Sequence, residues 1–246
     1  MVKYTPVEIE TNGKGCLGFL CDYPGAFIRG KSIEEALSKT GYELHSYQKW
    51  LGIEEKGIYQ ACVVKIHKSS LMIEDADSDI LLETDLEPLT KREFDELSNL
   101  LIKSGKTTYQ IYQSAEFKDW IDQDRIRKTF YGDTPKTIRE ILHHIDSVQY
   151  YYLSRMMTSP TRKPDFITGR EKCIERLKNL FHENYNNQIK YKDGEFWTLK
   201  KILRRFLWHD RIHSKSMIKI LRKQQEMGII KSVQDPFFFS INKRAT

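Results

Sequence analysis

The chain has 246 residues, of which 39% are hydrophobic, 12% aromatic and 30% charged. These values allow one full hydrophobic core or two smaller ones, and they argue against a wholly disordered chain. Lys and Arg outnumber Asp and Glu by 40 to 34, and a net charge of +6 does not by itself require a nucleic-acid partner. No apolar run approaches the roughly 20 residues of a membrane helix, and the N-terminus lacks a signal-peptide core. We therefore expect a cytoplasmic protein without a membrane partner.

The four cysteines are consistent with a reducing compartment. Cys16 and Cys21 lie in one apolar run, and five residues of extended chain would separate them by roughly 16 Å. A disulfide cannot span that distance, and no pair of cysteines has the CxxC spacing. The sequence therefore predicts free thiols.

Residues 1–73 carry the signals of strands around one helix. Four short runs favour strands: Val7–Thr11, Cys16–Cys21, Ala26–Arg29 and Ala61–Ile66. Ser32 with Glu35 three residues later forms a capping box, which predicts a helix from Ser32 to about Trp50. The resulting β-β-β-α-β order predicts a small α/β domain over residues 1–73.

Residues 74–89 separate this domain from the rest of the chain. Positions 74–88 hold seven acidic residues and no Lys or Arg, and Pro88 ends the run. This composition predicts an acidic linker or exposed connection. An acidic strand edge within the first domain is the alternative.

From residue 90 the pattern is helical. Thr90 with Glu93 forms a second capping box, and Thr134 followed by Pro135 predicts another helix start. The apolar spacing predicts helices from residue 90, over 136–157, over 167–184 and over 198–226. Four such helices favour an antiparallel four-helix bundle over residues 90–246, which gives an α+β fold class. We expect the phenylalanines at 237–239 to pack on this bundle.

The last helix carries two histidines on its apolar face. With Phe206 at zero on a helical wheel, His213 falls at about −20° and His209 at about −60°. The i, i+4 spacing stacks two imidazoles one turn apart, and imidazole is a favoured ligand of Zn, Ni, Cu and Fe. Two core histidines satisfied by neighbours are the alternative. The basic residues of this helix are expected to face outward: Lys200, Lys201, Arg204, Arg205, Arg211, Lys215, Lys219, Arg222 and Lys223.

A third histidine lies in the second helix. His144 falls at the flank of the apolar stripe, where it can approach a neighbouring helix, whereas His143 faces outward. The other histidines have no companion at ligand spacing and are read as surface or ordinary packing residues: His45, His67 and His182.

The segments ILHHIDSVQYYYL and FWTLKKILRRFLWHDRIHSKSM resemble the DinB/YfiT-like family of four-helix-bundle proteins. The resemblance covers roughly residues 90–230. In that family a histidine of the second helix and an H-x-x-x-H pair of the last helix form a metal site, which corresponds to His144, His209 and His213. The resemblance implies a metal-dependent enzyme, either a thiol-dependent transferase or a metal-assisted hydrolase. It also implies a divalent metal (Zn first, with Ni, Mn or Fe as the other candidates), a small-molecule substrate such as a thiol, and a homodimer.

Three histidine ligands leave a coordination position open, as in catalytic zinc sites. A metal there could lower the pKa of bound water or bind a thiol as its thiolate. Asp210 and Tyr152 are candidates to support the site, Asp210 by orienting a ligand histidine and Tyr152 by lining the pocket. The alternatives are that Asp210 pairs with an arginine at the helix surface and that the tyrosines serve packing. No catalytic nucleophile or acid–base residue is predicted.

The first domain resembles the HicB-like fold. The resemblance rests on Asp22-x-Pro24-Gly25 followed by Gly30-x-Ser32-x-Glu34-Glu35-Ala36. Members of that group act as antitoxins that contact a toxin partner. The resemblance implies a protein partner through residues 1–73, and with it an alternative function as a non-catalytic interaction protein. Nucleic-acid binding by the basic face of the last helix is not expected, because such faces are usually only solvated.

Overall fold

A computed structural model describes residues 2–53, 57–156, 161–183 and 185–239. They form a mixed α+β protein in which a four-stranded sheet comes first and helices follow, so the predicted fold class is confirmed at this level. The chain divides into two compact units. The sheet unit comprises Met1–Ile80, Thr129–Gly132 and Asp235–Thr246, and the helical unit comprises Leu81–Lys128 and Asp133–Gln234.

The strands of the sheet unit are β1 (Val2–Thr11), β2 (Cys16–Leu20), β3 (Phe27–Gly30) and β4 (Ile58–Lys68), and they overlap the four predicted strands. Their order in the sheet is β3-β2-β1-β4. The β1–β2 and β2–β3 pairs are antiparallel, whereas β1 and β4 are parallel. A parallel pair needs a crossover connection, and the helices between β3 and β4 supply it.

The helix predicted from Ser32 to Trp50 is two helices, α1 (Ile33–Leu37) and α2 (Thr40–Leu51). Ser32 caps α1 as predicted, because its Oγ accepts a hydrogen bond from the backbone N–H of Glu35 at 3.2 Å. The break follows Ser38, whose hydroxyl donates to the carbonyl oxygen of Glu35 at 2.8 Å. Such side-chain bonds compete with the helical ladder and favour helix ends.

The acidic segment is not simply an exposed linker. It contains a 3₁₀ turn (Ile73–Asp75) and a short helix α3 (Glu83–Leu86). Ile80, Leu82 and Asp85 are buried, Ile80 in the sheet unit and the other two in the helical unit. The apolar residues between the acids bring the segment into the packed units, which divide between Ile80 and Leu81.

Four long helices form most of the helical unit: α4 (Lys91–Ser114), α5 (Ile138–Met156), α6 (Phe166–His182) and α7 (Leu199–Glu226). Two small hairpins connect them, β5 (Lys128–Thr129) with β6 (Gly132–Asp133) and β7 (Lys190–Lys192) with β8 (Glu195–Trp197). Apolar side chains of all four helices share one buried cluster.

Side-chain caps begin these helices. The reciprocal bonds between Thr90 and Glu93 confirm the predicted capping box of α4. Thr134 was predicted to cap α5, and this is wrong. The helix begins at Ile138, and the hydroxyl oxygen of Thr137 accepts the backbone N–H of Glu140 at 3.0 Å.

The basic residues of α7 do not all face outward as predicted. Four of the nine are buried, namely Lys201, Arg204, Arg205 and Arg211. The ammonium of Lys201 lies 2.8 Å from Glu195 Oε1, and the guanidinium of Arg204 lies 2.5 Å from Asp85 Oδ2. Both acids come from short elements that pack on α7, Asp85 from α3 and Glu195 from β8. A continuous solvated basic face is therefore absent from the described part of α7.

The C-terminal phenylalanines were expected on the helical bundle, but Phe237 is buried in the sheet unit. Its carbonyl oxygen accepts the hydroxyl of Ser46 at 2.8 Å, and its ring centroid lies 5.1 Å from that of Trp50. The aromatic side of α2 provides the packing surface that we had assigned to the bundle.

Candidate metal centre

His209 and His213 lie on the side of α7 that faces the core. Their neighbours on this face, Ile202, Phe206 and Met217, are buried as the apolar pattern predicts. Because the two histidines are four residues apart, their rings lie one turn from each other, with centroids 4.2 Å apart and ring planes tilted by 57°. The helix therefore presents two imidazoles side by side.

His144 reaches the same point from α5. Its Nε2 atom lies 3.2 Å from Nε2 of His209, and its ring centroid lies 4.6 Å from that of His213. One nitrogen from each of the three imidazoles can be chosen so that all lie within 4.8 Å of one another. His143 points to solvent, as predicted. The structure thus brings together the three histidines that the sequence predicts as ligands.

These separations can be compared with the geometry of a metal site. Two nitrogens bound to one zinc ion at about 2.1 Å in tetrahedral geometry are about 3.4 Å apart, and they can never exceed about 4.2 Å. The 3.2 Å between His144 and His209 suits this arrangement. The widest pair, at up to 4.8 Å, would have to close by up to about 1.4 Å to reach the tetrahedral separation.

Burial keeps the three imidazoles neutral. It lowers the pKa of His144 from 6.5 to about 4, with a further contribution from His143. Burial likewise holds the pKa of His209 and of His213 well below the usual value, and the neighbouring imidazoles add to this effect. Neutral imidazole is the form that binds metals, so all three side chains are in the metal-binding form at physiological pH.

His213 carries an unpartnered polar atom. Its Nδ1 is buried and has no hydrogen-bond partner within the described part of the chain. A buried polar atom without a partner costs about 1–3 kcal/mol, and a bound ligand would remove this cost. This orphan nitrogen in a cluster of three neutral imidazoles fits a metal ion.

Asp210 is buried beside the site and bonds to an arginine. Its two carboxylate oxygens accept hydrogen bonds from Arg170 at 2.7 and 2.8 Å. The arginine alternative is thus the one seen, but the pair is buried in the helical unit rather than placed at the helix surface. Arg170 also donates to the side chain of Gln149 at 2.9 Å and to the carbonyl oxygen of Leu101 at 3.2 Å.

The sequence analysis missed this role of Arg170. One guanidinium in α6 binds groups on α4, α5 and α7. A signal was present, because Arg170 lies between Phe166 and Cys173 on the apolar stripe of its helix, where an arginine must find a buried partner.

Of the three consecutive tyrosines, Tyr152 is the one that contacts the site. Its ring centroid lies 5.8 Å from that of His209, with the rings nearly perpendicular, and 5.6 Å from that of Phe206. Tyr150 is engaged elsewhere, since its hydroxyl oxygen accepts the backbone N–H of Lys163, and Tyr151 is exposed. Tyr152 therefore forms one wall beside the histidines.

Comparison of the sequence with protein-family models and with curated proteins, and of the fold with solved structures, found no match.

Within the described residues, every helix is too short or too polar to cross a bilayer. The four cysteines, all described, are free thiols, as predicted.

Proposed function

We propose that this protein is a metal-dependent enzyme whose helical unit is a DinB-like four-helix bundle. Its divalent ion would be held by His144, His209 and His213. The observation that carries the proposal is the meeting of three neutral imidazoles from two helices, with His209 buried, His144 and His213 half-buried, and the Nδ1 of His213 without a partner. The positions on the second and the last of four long helices are those that the family resemblance implies.

The number of histidine ligands indicates a catalytic rather than a structural role for the ion. Structural zinc sites have four protein ligands, and three histidines leave room for a substrate. When bound, the ion would supply Lewis acidity for a thiol-dependent transfer or a hydrolysis, with zinc as the first candidate and Ni, Mn or Fe as the others. The protein itself orients the imidazoles and excludes bulk water from His209, and Tyr152 packs against the edge of that ring.

We further propose that the sheet unit is a HicB-like module and therefore a candidate surface for a protein partner. Its order β3-β2-β1-β4, with the helices crossing between β3 and β4, supports this assignment, since it is the β-β-β-α-β plan that the resemblance implies. In this proposal the metal-dependent reaction takes place in the helical unit, and the sheet unit binds the partner.

Metal binding is tested on protein made without a histidine tag. We expect about one equivalent of Zn, Ni, Mn or Fe per chain by elemental analysis after loading and dialysis. An ion at 100 times its Kd stabilises the folded state by about 2.7 kcal/mol, which corresponds to a rise in Tm of about 5–11 °C for a chain of this size.

Matched variants locate the ion. The double variant His209→Ala/His213→Ala should lose both the bound metal and the rise in Tm. His143→Ala removes an exposed histidine next to His144 and should retain both. Absence of stoichiometric metal together with an unchanged Tm for every ion would refute the metal site and leave the interaction protein as the remaining function.

Enzymatic activity needs its own assay. Metal-loaded protein is incubated with a small thiol and an electrophile, and separately with activated esters, and the products are followed by absorbance. We expect turnover in one of these reactions that disappears in the double histidine variant and persists in His143→Ala. Metal binding without turnover in either reaction would count against the enzyme and in favour of a structural ion.

A further inference from the structure

Strand β4 is an exposed edge. It is 11 residues long and is the last strand at its side of the sheet, where it pairs with β1. Three of its apolar side chains are unusually exposed, with Ile58 at 73%, Val64 at 55% and Ile66 at 50%. Long apolar edge strands readily pair with other strands, so β4 is a candidate site for association with another chain.

The first half of β4 borders a groove. A depression of about 560 Å³ lies between α2 and residues 57–61. Its walls include Tyr42, which is 47% exposed, and Ile58, together with Tyr59 and Ala61. This half of the strand therefore offers an open apolar recess beside the sheet edge.

The second half of β4 offers the complementary shape. Val64 is the extra residue of a β-bulge, since Val7 pairs with Val63 and the next residue of β1, Glu8, pairs with Lys65. A bulge residue leaves the ladder, which explains the exposure of Val64. Val64 and Ile66 thus form an apolar projection three to five residues beyond the groove.

We propose that two copies of this chain associate through β4, as antiparallel edge strands related by a two-fold axis at Cys62. A two-fold interface must be self-complementary, so a projection and a recess have to lie on opposite sides of the axis. β4 meets this condition, because the recess lies before Cys62 and the projection after it. Backbone hydrogen bonds along the paired edges would supply the remaining affinity.

The two-fold axis fixes the register. Because Val64 is an extra residue, Val63 and Val64 of one copy together lie opposite Ala61 of the other, Lys65 lies opposite Gln60, and Ile66 lies opposite Tyr59. Ile66 is on the same face of the sheet as Tyr59 and Ala61, so each apolar projection covers the partner's groove. Over residues 57–68 no two like charges face each other in this register. Like charges directly opposite would destabilise the pair, and this register avoids them.

The experiment measures the mass of the untagged full-length protein by analytical ultracentrifugation from 1 to 100 μM. We expect a dimer that dissociates at least ten times more readily in Val64→Lys and in Ile66→Lys. Ile189→Lys is the matched control, since Ile189 is 53% exposed in the helical unit, and it should dimerise as the parent does. Circular dichroism verifies that each variant is folded.

A short bismaleimide tests the register. Cys62 is exposed, whereas Cys16 and Cys173 are buried. Residues directly opposite in an antiparallel pair have Cα atoms about 5 Å apart, so the reagent should join two chains through Cys62. Cys62→Ser should abolish this product, and Cys21→Ser should not.

A monomer at 100 μM would overturn the proposal, and a different protein captured along β4 by the monomer would assign the edge to a foreign partner instead. A dimer that neither lysine variant weakens would place the interface elsewhere. A dimer that both variants weaken but that Cys62 cannot cross-link would refute the register.

Discussion

The buried pair of Arg170 and Asp210 allows a quantitative test of how the helical unit is held together. Both side chains are almost completely buried, and the two hydrogen bonds between them are charge-assisted. We consider Arg170→Met, which keeps the apolar stem of the side chain and removes the guanidinium. The carboxylate of Asp210 then remains buried without its counterion.

The expected cost follows from the burial of the group that is left behind. Removing one partner of a buried ion pair destabilises a protein by about 3–5 kcal/mol, because an uncompensated charge remains. Asp210→Leu should cost a similar amount, since the buried guanidinium then loses its carboxylate partner and keeps hydrogen bonds to the neutral groups Gln149 and the carbonyl oxygen of Leu101. The double variant Arg170→Met/Asp210→Leu replaces both charges by apolar groups and should be less destabilised than either single variant.

Urea unfolding followed by far-UV circular dichroism measures these differences. The free energy of unfolding falls with urea concentration by about 3 kcal/mol/M, so the midpoint of each single variant should be lower by about 1–2 M. Additive losses in the double variant would refute the view that the two groups act as a pair. Metal analysis of the same double variant separates two roles for Asp210: retained affinity indicates a purely structural pair, whereas a 10–100-fold loss indicates that Asp210 orients a ligand histidine.

Three further changes have expected outcomes. Without metal, stability should fall as pH drops from 6.5 towards 4, by up to roughly 3 kcal/mol from His144, because the unfolded chain binds more protons in this window. Urea midpoints at pH 4.5 and 7 measure this effect, and an equal or steeper dependence in His144→Gln would contradict it. Asp165→Ala removes the cap of α6 and should lower stability by about 1 kcal/mol, whereas Asp165→Asn should be nearly neutral. Thr198→Ala should cost about 1–2 kcal/mol, and Thr198→Ser should retain most of the parent stability, because the hydroxyl both caps α7 and donates to the backbone carbonyl oxygen of Asp85. Equal unfolding midpoints for the alanine variant and the parent would contradict either cap prediction.

Features that depend on a few neighbouring residues were predictable. The caps at Ser32 and Thr90, the start of the last helix at about Thr198 and the four strands of the sheet follow from local chemistry. One prediction from local chemistry was wrong. Thr134 and Thr137 both precede α5, and the cap was predicted at Thr134 because Pro135 follows it. The structure places the bond at Thr137, three residues later.

Two larger errors share one cause. A helical wheel orders residues around α7, but it cannot show which other elements cover its second side. Asp85, from the segment predicted to be an acidic linker, pairs with Arg204, which was predicted to face solvent. Likewise Glu195, in a hairpin that the sequence analysis did not foresee, pairs with Lys201. The contact with Asp85 buries both it and Arg204, so the two errors have one origin, and Glu195 covers Lys201 in the same way.

The histidines could be predicted because the relevant information is local. The spacing of His209 and His213 places them on one face of any helix, and the flank position of His144 directs it towards a neighbour. The packing of α5 against α7 that brings His144 level with the other two histidines is a tertiary contact, however. Only the resemblance to a bundle family predicted it. The separation of 3.2 Å between His144 and His209 required the structure.

The buried ionic contacts of α7 explain how the histidine pair is held in orientation. Lys201 is held by the β7–β8 hairpin, Arg204 by α3, and Asp210 by Arg170 of α6. These contacts lie at different angles around α7, so together they oppose rotation of the helix about its axis. A metal site needs its ligands held within a fraction of an ångström, and such precision comes from the residues that surround the ligands. The charges that were expected to make α7 a solvated helix instead fix the direction in which His209 and His213 point.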